Sequence, residues 1–117
     1  KSDIPLTPDC GFYNAHKLMK EGCIVWLYEK GFHHTKIITV DGQFCTVGSA
    51  NLNARSLRWD REENAVIIDA CTTHELDTLF EVQKKDSFKL TETKWKQWRT
   101  PWQRFRGWFA HLLSPFL

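Results

Sequence analysis

Four side chains of this 117-residue chain have the types and spacing for phosphoryl chemistry: His34 and Lys36, then Ser49 and Asn51. An imidazole can act as nucleophile or proton donor near neutral pH. A lysine, an asparagine amide and a hydroxyl can meet the non-bridging oxygens on which charge collects in the transition state. The first pair opens the β-branched run Thr35-Lys-Ile-Ile-Thr-Val40, and the second follows Phe44-Cys-Thr-Val47. Between the runs lies Asp41-Gly42-Gln43, a short hairpin signal. A two-residue turn at Gly42-Gln43 sets His34 opposite Asn51 and Lys36 opposite Ser49. A turn at Asp41-Gly42 shifts the pairing by two and keeps the same parity. Either register projects all four side chains from one face, and only a one-residue slip separates them. No carboxylate shares that face, so a metal is redundant, and neither metal nor cofactor is expected.

The elements that must position these residues read in the order helix, strand, hairpin, strand, helix. Pro5 and Pro8 suggest an extended lead-in, and residues 13–21 a helix stopped by Gly22. Residues 23–28 read as a buried strand, and residues 64–69 have the continuous apolar look of a central strand. Residues 52–61 are polar and turn-prone. Thr72-x-x-Glu75 reads as a capping box opening a helix to about Lys84, with Leu76, Leu79, Phe80 and Gln83 on its buried face. This is an α/β chain with a mixed β-sheet flanked by helices, and its length suits one core.

The tail differs in style. Trp95, Trp98, Trp102, Phe105, Phe109, Leu112 and Phe116 recur at intervals of three and four, one helical stripe. Thr100 can cap a second helix with Pro101 at its first position, which makes two helices with a bend. Residues 1–83 carry 8 Lys/Arg against 12 Asp/Glu, and residues 84–117 carry 8 against 2, so a net −4 body precedes a +6 tail. The tail is therefore expected to meet something anionic. Basic residues beside a Trp/Phe stripe suit an interfacial helix, with Trp98, Trp102, Arg104, Phe105, Arg106 and Phe109 as the membrane contacts. Tryptophans on one helical side suit an apolar plane better than a row of separate bases, so no nucleic acid is expected. The alternative is that the stripe packs on the body. Residues 1–90 and 91–117 are read as body and tail.

Cys10, Cys23, Cys45 and Cys71 show neither a C-x-x-C pair nor zinc-finger spacing, which favours free thiols. No apolar run is long enough for a bilayer span. No G-x-S-x-G elbow supports a Ser49 nucleophile, and no G-x-x-x-x-G-K loop is available for phosphate.

His34-Thr-Lys36-Ile-Ile-Thr-Val-Asp41 followed by Gly48-Ser49-Ala-Asn51 resembles the HKD signature of the phospholipase D superfamily. Arg55-Ser-Leu-Arg58, Glu62-x-Asn64, Pro101-Trp-Gln-Arg104 and the ending Leu113-Ser-Pro-Phe-Leu117 extend that resemblance to the second half of bacterial cardiolipin synthases, across nearly the whole chain. The resemblance implies a phospholipase D-like half-domain that forms cardiolipin from two phosphatidylglycerol molecules through a phosphohistidine. His34 would be one of two catalytic histidines. One of the two takes the phosphatidyl group and the other protonates the leaving alcohol; for the C-terminal motif, acid and later base is the usual assignment. Lys36 and Asn51 would hold phosphate oxygens, Ser49 would support them, and Glu62 would fix the tautomer of His34. Asp41, grouped with the catalytic residues by the motif's name, falls beside the turn and reads as shaping it. Val66 stands where relatives often carry a second acid.

The partners so implied are an anionic lipid membrane and the N-terminal HKD half of the same polypeptide. The setting is the bacterial cytoplasmic membrane, reached through spans outside this piece. A lone piece, with one histidine for two roles on opposite sides of phosphorus, is expected to be inactive. The alternatives are a phospholipase D or single-motif nuclease working as a homodimer, and a non-catalytic membrane- or nucleic-acid-binding module.

Overall fold

A computed structural model describes residues 6–113. It is a mixed α/β structure with small antiparallel sheets flanked by helices and a helical C-terminal segment. In chain order the elements are α1 (Leu6–Lys20), β1 (Trp26–Tyr28), β2 (Ile37–Val40), β3 (Phe44–Gly48), α2 (Ala54–Arg58), β4 (Asn64–Ile67), α3 (Ala70–Lys84), β5 (Ser87–Lys89), α4 (Glu92–Trp98) and α5 (Pro101–Leu112). They divide into two compact units where one core was expected: one runs Tyr28–Phe88, and the other takes the chain up to Leu27 and from Lys89 onward.

In the Tyr28–Phe88 unit, β2, β3 and β4 form a three-stranded sheet in that order, with α3 packed against β2 and β3. Cys45 on β3 and Thr73 on α3 are fully buried. β3 is thus the central strand and β4 an edge, which corrects the central placement expected for residues 64–69. The apolar residues of β4 do not make it central, because no further strand among the described residues pairs with it. The cross-strand row Ile38, Thr46 and Val66 carries two exposed apolar side chains, Ile38 and Val66. α3 begins three residues earlier than expected. Its cap is Asp69, whose carboxylate accepts from the Thr72 N–H at 2.7 Å, and not Thr72 itself. Leu76 and Gln83 are half-buried, while Leu79 and Phe80, expected inward, are exposed and line an open groove with Ile37, Ile38 and Thr39. Residues 52–61 hold α2 as well as turns, started by Asn53 accepting from the Ser56 N–H at 2.8 Å.

The other unit is built on α1 and α5, which pack together. α1 starts at Leu6 in place of an extended lead-in and a helix from residue 13. Pro8 sits in the first turn, where a missing N–H removes no helical bond; Pro5 lies outside the described residues. The tail forms the two expected helices. Thr100 and Gln103 make a reciprocal capping box, and Pro101 takes the first position of α5.

What holds α5 to α1 is charge and close approach. Asp9, buried on α1, accepts from both Arg99 and Arg106. Arg99 also lies over the Phe12 and Trp98 rings at 5.1 and 5.6 Å. The α5 residues that go inward are small, Gly107 and Ala110. His16 stacks on Trp95 at 4.5 Å and meets Glu92 at 2.8 Å, and Tyr13 lies 5.2 Å from His111. Of the aromatic stripe, Trp95 is buried while Trp98, Trp102, Phe105, Phe109 and Leu112 are exposed; Phe116 lies outside the described residues. All four cysteines are free; Cys10 and Cys45 are buried, whereas Cys23 and Cys71 are exposed and fill no core.

β1 and β5, the latter not anticipated, form a two-stranded ribbon. β1 is shorter than the expected run of residues 23–28, and it is not buried: Ile24, Trp26 and Tyr28 are exposed. The buried apolar residues among those described are Cys10, Cys45, Leu90, Trp95 and Ala110, too few to cover every apolar strand.

A methyl group on Gly107 would sit 2.9 Å from the Asp9 carbonyl and 3.1 Å from the Tyr13 Cβ, whereas one on Gly11 of α1 would meet nothing within 4 Å. Gly11→Ala should therefore raise stability by about 0.5–1 kcal/mol through helix propensity. Gly107→Val should lower it by about 1–3 kcal/mol through overpacking. Thermal unfolding of both variants checks the opposite signs.

Candidate functional site

The β2–β3 connection sets where the chemical residues fall. Val40 pairs with Phe44, Thr39 with Cys45, Ile38 with Thr46 and Ile37 with Val47. Asp41 and Gly42 take φ 51° and 65°, both left-handed, and the Gln43 N–H donates to the Val40 carbonyl at 3.0 Å. This is the turn that Asp-Gly favours, but Gln43 is an added residue before the ladder resumes. The connection has three residues where two were expected, and the register moves by one. The Gly48 N–H accordingly donates to the Lys36 carbonyl at 3.2 Å, so Lys36 lies across from Gly48 and not from Ser49. The inference that parity puts His34, Lys36, Ser49 and Asn51 on one sheet face is thereby overturned. All four also lie beyond the ends of β2 and β3, on the segments where the hairpin opens.

What gathers part of the set is the junction with β4. Gly48 pairs with Asn64, and a Cβ at Gly48 would stand 1.9 Å from Asn64 Oδ1 and 2.2 Å from the Glu63 carbonyl. The absent side chain lets the chains approach, and Ser49 then exchanges bonds with the strand entry. Its N–H donates to the Glu63 carbonyl at 3.0 Å, and its Oγ accepts from the Glu63 N–H at 3.0 Å. The hydroxyl proton goes to the Glu62 carboxylate at 2.5 Å. Asn64 Oδ1 accepts from the Ala50 N–H at 3.4 Å. The Ser49 hydroxyl, then Ser56 and more weakly the Lys36 ammonium, hold the Glu62 carboxyl below the usual carboxylate range, so it is an anion at neutral pH.

Ser49 and Glu62 are thus brought into direct contact, while the Lys36 ammonium acts on Glu62 only as a weak charge at a distance and forms no ion pair with it among the described residues. Lys36 Nζ donates to the His34 carbonyl at 2.7 Å. The exposed imidazole of His34 lies 5.5 Å from the Phe32 ring and makes no hydrogen bond among the described residues, to Glu62 or otherwise. Asn51 is exposed outside the cluster, and Asp41 occupies the turn. Sequence reasoning gave no role to Gly48, Ser56 or Asn64. The signals available were Asn53 as a helix cap, which places Ser56, and Glu62-x-Asn64 beside a glycine-serine pair. In the tail, Arg106 is engaged by Asp9, and Trp98 packs edge-on to Phe12 at 4.8 Å.

The model of the "Cardiolipin synthase, PLD-like domain" family matches residues 1–84. The chain is 35% identical over its full length to the minor cardiolipin synthase ClsB of Bacillus subtilis (strain 168), covering 29% of that protein. It is 38% identical to the major cardiolipin synthase ClsA of the same strain, with 97% of the chain aligned to 25% of the relative. A cardiolipin synthase of Listeria monocytogenes serovar 1/2a is 34% identical, again over 97% of the chain and 25% of the relative. No solved structure matches. Fold and comparisons together define the class as a phospholipase D-like α/β domain. Within that class, the chain belongs to the cardiolipin synthase PLD-like domain family, and it spans about a quarter of the length of these relatives.

Removing the Ser49 hydroxyl takes away the largest cause of the low Glu62 pKa. In Ser49→Ala the Glu62 titration midpoint, followed by carboxyl ¹³C shifts, should move upward toward the ordinary glutamate value. An unmoved midpoint would contradict the hydrogen bond.

Proposed function

We propose that this chain supplies one of the two HKD motifs of a phosphatidyltransferase that forms cardiolipin from two molecules of phosphatidylglycerol. Its partner in the site is the other HKD half of the same polypeptide. The observation that carries the reading is the Ser49–Glu62 hydrogen bond at the open end of the hairpin, with the Lys36 ammonium bonded to the His34 carbonyl on the facing segment, in a chain whose relatives are named cardiolipin synthases.

The reaction needs two histidines on opposite sides of phosphorus. One attacks with a ring nitrogen, forming an N–P bond as the P–O bond to glycerol breaks. The other, the role that fits His34, protonates the departing glycerol oxygen. It then takes a proton from a glycerol hydroxyl of the second phosphatidylglycerol, whose oxygen displaces the first histidine and releases cardiolipin. Lys36 offsets charge on the non-bridging oxygens, and Asn51 donates to them. The Gly48 N–H, donating to the Lys36 carbonyl, holds the Lys36 segment at the mouth of the hairpin, and Asp41 shapes the turn that sets its register. Glu62, bonded to Ser49 here, is the residue that the family resemblance assigns to the far nitrogen of His34, whose tautomer it would fix.

In the polypeptide carrying both motifs, His34→Ala should lower cardiolipin formation from phosphatidylglycerol on the order of 10²- to 10⁴-fold. Undiminished turnover would refute the role. The 117-residue chain by itself should form no cardiolipin from phosphatidylglycerol vesicles, and turnover by a verified monomer would overturn the half-site reading.

A further inference from the structure

Helix α5 packs on α1 through its small residues and turns an ordered apolar arc outward. Gly107 and Ala110 are buried, while Trp102, Phe105, Trp108, Phe109 and Leu112 are 64, 51, 44, 46 and 55% exposed. At about 100° per residue, Phe105 stands at the middle of this arc with Leu112 and Phe109 beside it. Trp102 and Trp108 lie roughly 60° to either side, and Arg106 and Arg104 roughly 100° to either side. Apolar rings at the centre, indoles at both margins and, with Arg106 engaged by Asp9, the Arg104 cation beyond one of them is the cross-section of a helix lying in a membrane interface. The twelve residues of α5 extend only about 18 Å, and among the described residues no helix is long and apolar enough to cross a bilayer. The face therefore suits in-plane docking.

Charge selects the lipid. The unit that carries α5 has 9 Lys/Arg against 4 Asp/Glu. Arg104 has no ion-pair partner among the described residues, and Asp9 with Arg99 and Arg106 leaves one positive charge in excess. We infer that α5 docks in the plane of an anionic phospholipid surface through Trp102, Phe105, Trp108, Phe109 and Leu112. The Asp9 clamp on Arg99 and Arg106 and the close seat of Gly107 hold that face outward.

This assignment adds Trp108 and Leu112 to the sequence-based set, leaves Trp98 on α4 against Phe12, and gives Arg106 to Asp9. It does not rest on the reaction assigned to His34, and its test involves no turnover. The 117-residue chain is mixed with vesicles of phosphatidylglycerol and phosphatidylcholine in equal parts, or of phosphatidylcholine alone, and bound protein is separated by flotation. Binding should be at least tenfold stronger to the anionic vesicles and fall as sodium chloride rises from 0.05 to 0.5 M. Phe105→Ser/Phe109→Ser should lose at least tenfold in binding with unchanged far-ultraviolet circular dichroism. Arg104→Gln should lose roughly fivefold on the anionic vesicles alone. Ile38→Ser, an exposed apolar site in the other unit, should bind as the parent does.

Equal binding to both vesicle types would overturn the proposal, as would no binding to either. So would an arc occupied by a second copy, read as a dimer in sedimentation that Phe105→Ser/Phe109→Ser dissociates. If the double variant misfolds, hydrogen exchange of the parent chain decides. Slowed exchange in 101–113 on anionic vesicles supports docking, and unchanged exchange there overturns it.

Discussion

No room for a side chain exists at Gly48, and the arrangement of the candidate site depends on that. Any Cβ there would overlap Asn64 and the Glu63 carbonyl, so β4 reaches β3 only because the residue is glycine. Once the approach is made, Ser49 fills its bonding capacity with Glu63 and Glu62, and its hydroxyl holds the Glu62 carboxyl below the usual carboxylate range. A serine and a glutamate thirteen residues apart in the sequence become direct partners at 2.5 Å. In the G-S-x-N stretch, then, the glycine admits the neighbouring strand and the serine closes the contact.

The α1–α5 unit uses the same device with a different outcome. Gly107 admits the backbone of α1, and Asp9 fastens both ends of the approach through Arg99 and Arg106. A buried carboxylate shared by two guanidiniums is strongly coupled, and removing one member of such a pair costs on the order of 3–5 kcal/mol. Because small residues make the contact, the large aromatics of α5 remain outside it. The exposed arc is a consequence of how the helix is held.

Much of this was legible in the sequence. The hairpin, the two tail helices and the Thr100–Pro101 start announce themselves through local chemistry, since Asp-Gly turns and caps are decided within a few residues. What failed was non-local or depended on one residue. Gln43 added a single position to the connection, and parity, which inverts with every one-residue slip, carried the error to the shared face of His34, Lys36, Ser49 and Asn51. β4 is apolar enough for a central strand, but centrality depends on which strands pair with it, and a sequence run carries no such information. Asp69 displaced Thr72 as the cap of α3, since both types serve and backbone geometry decides. Short elements such as α2 and β5 have too few residues to produce a period. Family membership was legible for a different reason, because it depends on residue types at fixed intervals, which a change of register leaves intact.

The central proposal is a phosphate-holding half-site where the hairpin opens. Titrating the ¹⁵N-labelled chain with dimethyl phosphate, a bare phosphodiester, tests it most directly. Saturable amide shifts confined to residues 34–36 and 48–51 are expected, with the Lys36 ammonium responding and Lys36→Met abolishing them. Shifts centred on the arginines of α5, or none at saturating diester, would contradict it.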